Sequence, residues 1–78
     1  MNTDLDQKLK IIAMNIRSHR KEQGKSQWQL AKKLSITQNA YSKMEMGKTK
    51  ITLQNFMIIA DYLKINTADL LNNPQITT

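Results

Sequence analysis

Apolar residues recur along this chain at the three- and four-residue spacing that places side chains on one face of a helix. The clearest stripe lies near the start of the chain and consists of Leu5, Leu9, Ile12 and Ile16. Arg20 follows four residues later on the same stripe, where a charge needs a partner if that face is buried. Thr3 is the predicted N-cap of this helix. Gly24 predicts an end near Gln23, because glycine readily takes the left-handed conformation that closes helices.

Four shorter helices are predicted after it, each beginning at a Ser or Thr that can accept a hydrogen bond from a first-turn amide. Their predicted caps are Ser26, Thr37, Thr52 and Thr67. The second helix is predicted over about 27–34 and the third over about 37–46, where Gly47 ends it. The apolar positions of the fourth are Leu53, Phe56, Met57, Ile59, Ala60 and Leu63. The predicted fold is all-α, a compact bundle of five short helices.

The composition excludes several classes of protein. A chain of 78 residues has room for one domain. The absence of cysteine excludes disulfides, thiolate zinc sites and cysteine nucleophiles. The longest apolar run is five residues, far short of the roughly 20 that span a bilayer. Since the chain also shows no signal-peptide pattern, we expect a cytoplasmic protein with no membrane partner.

Positive charge is concentrated in the middle of the chain. Residues 17–50 hold nine Lys and Arg against two acids, whereas residues 1–16 are neutral and residues 51–78 carry a net charge of −1. This asymmetry indicates an anionic partner, with nucleic acid as the first candidate. On charge alone, a solvated lysine-rich surface would look the same.

Catalytic chemistry finds little support in the sequence. The single histidine, His19, is interpreted as a surface or half-buried side chain. Gly24-Lys25-Ser26 matches the last three positions of a phosphate-binding loop, but His19 stands where that loop requires its first glycine. We therefore expect no enzyme activity, no metal, no cofactor and no small-molecule substrate. Because no sensor domain fits in the remaining residues, we expect no effector bound by this chain either.

The second and third predicted helices are separated by only about three residues, as in a helix-turn-helix. In that arrangement the second helix of the pair enters the major groove, and the first lies across the backbone. The predicted outer face of this second helix carries Gln38, Asn39, Ser42 and Lys43. Side-chain amides suit adenine, and lysine suits the O6 and N7 of guanine. The same residues would also serve as an ordinary polar surface.

Two segments, 16–31 and 34–48, together resemble the phage-repressor-like (Cro/repressor, XRE-type) helix-turn-helix family. They read IRSHRKEQGKSQWQLA and LSITQNAYSKMEMGK. Later residues are similar to the last two helices of that family: Thr52-Leu53, Ile59-Ala60-Asp61 and Asp69-Leu70-Leu71. The resemblance implies a lambda-repressor-like DNA-binding domain over about 14–71, after an N-terminal extension (1–13) and before a tail (72–78). It also implies a sequence-specific regulator that binds double-stranded DNA, expected to be a repressor.

The resemblance implies roles for matching positions. The residues expected to contact bases lie on the third helix and are Gln38, Asn39 and Lys43. Ala40 and Ser42 are expected to face either bases or backbone. Phosphate contacts fall to the start of the second helix and to the basic loop after the third: Lys25, Ser26, Gln27, Lys48, Thr49 and Lys50. Arg20 and Glu45 match a pair that joins the first helix to the end of the third. Four positions depart from the family pattern: Ser35 where Gly is common, Met46 for Asn, Ile51 for Pro, and Trp28 for a polar residue.

A homodimer on a near-palindromic site is expected, because one recognition helix reads few base pairs. The resemblance suggests an interface at Ile51, Ile58, Ala68 and Leu71, and the N-terminal extension offers Ile11 and Met14 instead. The same domain would serve an antitoxin, whose partner is a toxin protein, or a controller protein of a restriction system. A third alternative is a protein-interaction module that has lost DNA binding. Apolar surface residues such as Trp28 and Tyr62 would favour that alternative.

Overall fold

The structure of the protein, a computed structural model, describes residues 3–72 and contains five helices over that range. They are α1 (Thr3–Glu22), α2 (Gln27–Leu34), α3 (Gln38–Glu45), α4 (Leu53–Leu63) and α5 (Thr67–Leu71). Residues 3–72 include no strand. The predicted all-α bundle of five helices is confirmed, although α1, with 20 residues, is not short. The predicted tail around Pro74 lies outside the described residues.

Side-chain caps start α2, α3 and α4 as predicted. Ser26 forms a reciprocal capping box with Gln29. The Ser26 Oγ accepts from the Gln29 N–H at 3.1 Å, and the Gln29 Oε1 accepts from the Ser26 N–H at 2.7 Å. Thr37 and Thr52 each accept from the amide three residues later, both at 3.1 Å. Each cap satisfies an amide that has no partner within its helix.

The predicted cap of α5 is wrong. Asn66 is the N-cap, since its Oδ1 accepts from the Ala68 N–H at 3.0 Å, and Thr67 is the first helical residue. Asparagine is at least as good an N-cap as threonine, and its short side chain bonds the backbone two residues on. Thr3 is also helical and lies at the edge of the described residues. The third helix ends at Glu45, one residue earlier than predicted.

Four helices end with a residue at positive φ. These residues are Gly24, Ser35, Gly47 and Lys64, with φ of 69°, 58°, 75° and 56°. At each of these ends, two successive amides bond back to carbonyls of the last turn, which is the Schellman pattern. In α2, for example, Ser35 and Ile36 donate to the carbonyls of Lys32 and Ala31 at 3.1 and 3.0 Å. Ser35 and Lys64 hold a conformation that costs a non-glycine residue about 1 kcal/mol.

All five helices contribute to one core. Its largest fully buried side chains are Ile16, Leu30, Tyr41, Ile59, Leu63 and Leu70. Some residues at predicted apolar positions are nevertheless exposed, notably Leu5, Leu53 and Met57. Leu5 is exposed because the first turns of α1 extend beyond the core, where residues 4–8 are all exposed. Leu53 is the first residue of α4, and Met57 lies one turn later on the same outer side.

Candidate nucleic-acid interface

The connection between α2 and α3 consists of residues 35–37 and is hydrogen-bonded at both ends. Ser35 takes part in the Schellman closure of α2, and Thr37 caps α3. The two helices pack against each other and bury one face each in the core. The buried residues are Leu30, Ala31 and Leu34 from α2, and Tyr41, Met44 and Glu45 from α3. This burial determines which face of α3 points outward.

The outer face of α3 carries the residues predicted to contact bases. Gln38, Asn39 and Lys43 are exposed, and Ala40 and Ser42 are half-buried. Gln38 and Asn39 occupy the first two positions of the helix. Asn39 and Lys43 are four residues apart and therefore neighbours on one face. The helix thus presents two side-chain amides and one ammonium group to solvent, the groups that bond the edges of adenine and guanine.

The basic loop after α3 begins from a fixed point. The Gly47 N–H donates to the Met44 carbonyl at 3.0 Å, and the Lys48 N–H donates to the Lys43 carbonyl at 2.9 Å. Lys48, Thr49 and Lys50 are all exposed. The Schellman closure therefore keeps these predicted phosphate contacts close to the helix that carries the predicted base contacts.

The predicted phosphate contacts at the start of α2 have partners within the protein. The Lys25 Nζ lies 4.8 Å from the centroid of the Tyr62 ring. The Ser26 hydroxyl accepts the capping bond of α2. The Gln27 Nε2 donates to the Glu45 Oε1 at 3.1 Å, which leaves its second N–H and its carbonyl for another ligand. These contacts orient the side chains, and their phosphate role stays a prediction.

Arg20 and Glu45 form a buried ion pair with bidentate geometry. The Arg20 Nε donates to the Glu45 Oε2 at 2.7 Å, and the Arg20 Nη2 donates to the Glu45 Oε1 at 2.9 Å. The Arg20 Nη1 donates to the Lys25 carbonyl at 2.7 Å, just before α2. The Tyr41 hydroxyl adds a bond of 2.7 Å to the Glu45 Oε2. Since Gln27 also donates to this carboxylate, Glu45 connects α1, α2 and α3.

The same contacts determine how this cluster ionises. Burial opposes ionisation of Glu45, but hydrogen bonds from Arg20, Tyr41 and Gln27 outweigh it and lower the pKa of the carboxyl. The hydrogen bond to Glu45 raises the pKa of the Arg20 guanidinium. Burial, together with the hydrogen bond to Glu45, raises the pKa of the Tyr41 phenol. At neutral pH the cluster is therefore an ionised pair with a neutral tyrosine as an additional donor.

Two polar side chains, Asn15 and Gln23, support the bundle through contacts that local sequence patterns do not indicate. Asn15 is buried, and its Nδ2 donates to the Leu70 and Asn72 carbonyls at 2.8 and 2.7 Å. The Gln23 Nε2 donates to the Leu63 carbonyl at 2.8 Å. Both side chains satisfy carbonyls in the terminal turns of α5 and α4. No buried side-chain nitrogen or oxygen in residues 3–72 lacks a hydrogen-bond partner.

Departures from the family pattern lie mainly at the surface. Trp28 and Met46 are 55% and 53% exposed. The Lys32 Nζ lies 4.8 Å from the Trp28 ring centroid, a cation–π contact. Ile51 is half-buried and packs against the core. These differences from the family pattern therefore alter the surface around α2 and α3 and leave the bundle intact.

Neither a metal-binding cluster nor a membrane-spanning helix occurs in the described part of the chain. Within it, no group of three or more His, Cys, Asp or Glu side chains is arranged to hold a metal ion. The His19 Nδ1 lies 3.7 Å from Glu22 Oε1, and the Glu22 side chain is 74% exposed. No helix between residues 3 and 72 is long and apolar enough to cross a membrane.

Comparison with known proteins identifies the family. A helix-turn-helix family model matches residues 16–70, so residues 3–15 of α1 precede the match. The chain belongs to the helix-turn-helix family. This helix-turn-helix chain is also similar to the crystal structure of a hypothetical transcription factor, NHTF, from Neisseria, with 31% identity and a TM-score of 0.78. The alignment covers 90% of this chain and 80% of that chain. No curated protein matches the sequence. Together, the family and the structural similarity support a DNA-binding regulator of transcription.

Proposed function

We propose that this helix-turn-helix protein binds double-stranded DNA sequence-specifically and represses transcription, acting in the cytoplasm. In this proposal α3 enters the major groove, where Gln38, Asn39 and Lys43 contact base edges and Ala40 and Ser42 face bases or backbone. The phosphate contacts flank α3 on two sides: Lys25, Ser26 and Gln27 before it, and Lys48, Thr49 and Lys50 after it. Phosphate contacts set the orientation of the protein, and base contacts set the sequence preference.

The observation that carries the proposal is the exposed polar face at the start of α3, on a helix whose far end is immobilised. Glu45, the last residue of α3, is bonded to Arg20 of α1 and Gln27 of α2. Recognition helices contact base edges with their N-terminal residues, so the exposed N-terminal end of α3 is the end that must reach DNA. The net charge of +7 over residues 17–50 supplies the attraction to phosphates.

The active form in this proposal is a homodimer on a near-palindromic site, with the two recognition helices about 34 Å apart. Both candidate interfaces contain exposed apolar residues, since Met14 is 60% and Leu71 54% exposed. The mass of the protein–DNA complex counts the copies bound. Met14→Glu and Ala68→Glu then locate the interface, because a charge disrupts the dimer only on the face that forms it.

A salt titration of binding to random duplex DNA tests the proposed function. A DNA-binding protein loses affinity steeply, with a slope of log K against log salt of about −0.9 per phosphate contact. Selection from a random duplex pool then identifies the preferred site. An absence of binding at low salt would contradict the proposal and favour a protein-interaction module. An antitoxin or a restriction controller would also bind DNA, and the antitoxin would in addition bind a toxin protein.

A further inference from the structure

A groove of about 560 Å³ lies between the first half of α1, the basic loop after α3 and the start of α4. Its walls are mainly apolar and include Leu9, Ile12, Ile51, Leu53, Phe56 and Leu71. Three exposed lysines, Lys10, Lys48 and Lys50, also line it, with Asp6 as the acid among the lining residues. Its volume falls within the range of about 300–1,000 Å³ that is typical of small-molecule sites.

One wall of this groove is the part of α1 that precedes the family match. Leu9 and Lys10 both belong to that part, and the basic loop forms the facing wall. The two walls touch at Gly47, where a Cβ atom would lie only 3.1 Å from the Lys10 Cγ. Glycine at this position therefore lets the loop approach α1 closely. The N-terminal extension thus builds a cavity beside the predicted DNA-binding surface.

We propose that the groove is an effector site for a small amphipathic anion, a molecule with an apolar body and one carboxylate. Apolar walls stabilise such a body by removing it from water, and a lysine ammonium pairs with the carboxylate. The groove shares Ile51 and Leu71 with one of the two candidate dimer interfaces. This proposal therefore requires that the dimer form through the other interface, around Ile11 and Met14.

The site requires no separate sensor domain, because the helices of the DNA-binding domain themselves form it. The proposed site is contrary to the expectation, drawn from the sequence, that the chain binds no effector. That expectation rested on the lack of room for a second domain. The groove depends instead on two segments distant in sequence, around Lys10 and around Lys50, which only the folded chain brings together.

The groove shares Lys48, Thr49 and Lys50 with the predicted phosphate contacts. An anion held by these lysines competes with DNA phosphates for the same charges, so its binding weakens DNA binding. Linkage requires the converse, that DNA weakens binding of the anion by the same factor. This competition rests on the proposed DNA-binding function, whereas occupation of the groove does not.

Dodecanoate, kept below its critical micelle concentration, is a suitable probe, with dodecanol as its uncharged analogue. Calorimetric titration of the chain without DNA should show one dodecanoate bound per chain. Leu53→Gln makes one groove wall polar at a position that is 73% exposed, so the fold should be retained. We expect about tenfold weaker binding of dodecanoate to this variant.

Two further variants make the test specific. Met57→Gln is the matched control, since Met57 lies one turn further along α4, is 56% exposed and is not part of the groove. It should bind dodecanoate as the natural chain does. Lys10→Met retains the stem that packs on Gly47 and removes the charge. It should weaken binding of dodecanoate by about fivefold and leave binding of dodecanol unchanged.

Dodecanoate should also weaken binding of the natural chain to random duplex DNA at constant salt. The proposal is overturned if the natural chain binds no dodecanoate, or if Leu53→Gln and Met57→Gln lose binding equally. If sedimentation shows that dodecanoate converts a dimer into monomers, the groove belongs to a second copy of the chain. If dodecanoate binds and DNA affinity is unchanged, the competition is refuted. A chain that binds dodecanoate but no DNA would refute the proposed function and retain the site.

Discussion

The guanidinium of Arg20 and the carboxylate of Glu45 meet through two hydrogen bonds of 2.7 and 2.9 Å, although 25 positions separate them in the sequence. Arg20 reaches Glu45 because it continues the inward stripe of α1 one turn after Ile16. An acid at the C-terminal end of a helix is otherwise unfavourable, since it faces the negative end of the helix dipole. The pair therefore holds the end of α3 against α1 and helps to set the direction of α3.

Removal of one partner should destabilise the protein strongly. The Glu45 side chain is 1% exposed, so Glu45→Ala leaves Arg20 without its counter-ion and should lower the free energy of unfolding by about 3 kcal/mol. In a double-mutant cycle with Arg20→Met, followed by urea denaturation, the coupling should exceed the roughly 0.5 kcal/mol scatter of independent sites. Glu22→Ala, at an exposed acid of α1, is the control and should change stability by less than about 0.5 kcal/mol. A coupling near zero would show that the two residues act independently.

The lowered pKa of Glu45 predicts a specific loss of stability in acid. A carboxyl whose pKa is lower in the folded than in the unfolded chain stabilises the fold above its ordinary pKa, near 4.5, and this contribution is lost as pH falls through the folded pKa. The melting temperature of the natural chain should therefore fall more steeply below about pH 4.5 than that of Glu45→Gln, which has no carboxyl to protonate at this position. Parallel melting curves for the two proteins across this range would contradict the assignment.

The two non-glycine residues at positive φ should tolerate glycine. Ser35→Gly and Lys64→Gly each relieve a strain of about 1 kcal/mol, partly offset by the greater entropy of glycine in the unfolded chain. We expect a neutral or slightly higher melting temperature for both. Gly24→Ala is the opposite control, since nothing lies within 4 Å of the added Cβ and only its φ of +69° opposes the change. Gly24→Ala should lower the free energy of unfolding by about 1 kcal/mol. A clear drop in the melting temperature of Ser35→Gly would mean that the Ser35 side chain stabilises the fold by more than its backbone strain destabilises it.

Asn15 should contribute to the stability of the fold through its two hydrogen bonds to backbone carbonyls. Asn15→Ala removes both hydrogen bonds to the end of α5 and leaves the Leu70 carbonyl without its side-chain donor. We expect Asn15→Ala to lower the free energy of unfolding, measured by chemical denaturation, by about 1–3 kcal/mol. Gln7→Ala, at an exposed position of the same helix, should have almost no effect. Equal effects of the two substitutions would show that these bonds do not stabilise the docking of α5.

Local signals in the sequence were sufficient to predict most of the fold. Ser26, Thr37 and Thr52 cap helices through bonds to amides three residues away, so their pattern is visible in a short window. The prediction of Thr67 as the cap of α5 was wrong because the neighbouring residue, Asn66, is an equally suitable cap. Leu5 belongs to the apolar stripe of α1 and is nevertheless exposed, because periodicity identifies a face and does not show how far the core extends along a long helix.

Local signals did not predict contacts between distant residues, and the Arg20–Glu45 pair was predicted only because the family resemblance implies it. Asn15 bonds across 55 and 57 positions and Gln23 across 40, and a single polar residue on a helix gives no indication of such partners. The outer face of α3 was predictable, because its polar residues follow from helical periodicity once Tyr41 and Met44 are inward. The groove was not predictable, since it depends on the close approach of Lys10 to Gly47.

Base reading by α3 is the central claim, and binding of variants to a selected site and to random duplex DNA tests it most directly. Gln38→Ala or Asn39→Ala should lose about 1–3 kcal/mol on the preferred site, lose discrimination at one base pair and bind random DNA as the natural chain does. Lys50→Ala should weaken binding to all sequences alike and reduce the salt slope by about one. If Gln38→Ala and Asn39→Ala weaken binding to the selected site and to random DNA equally, α3 does not read bases through these residues.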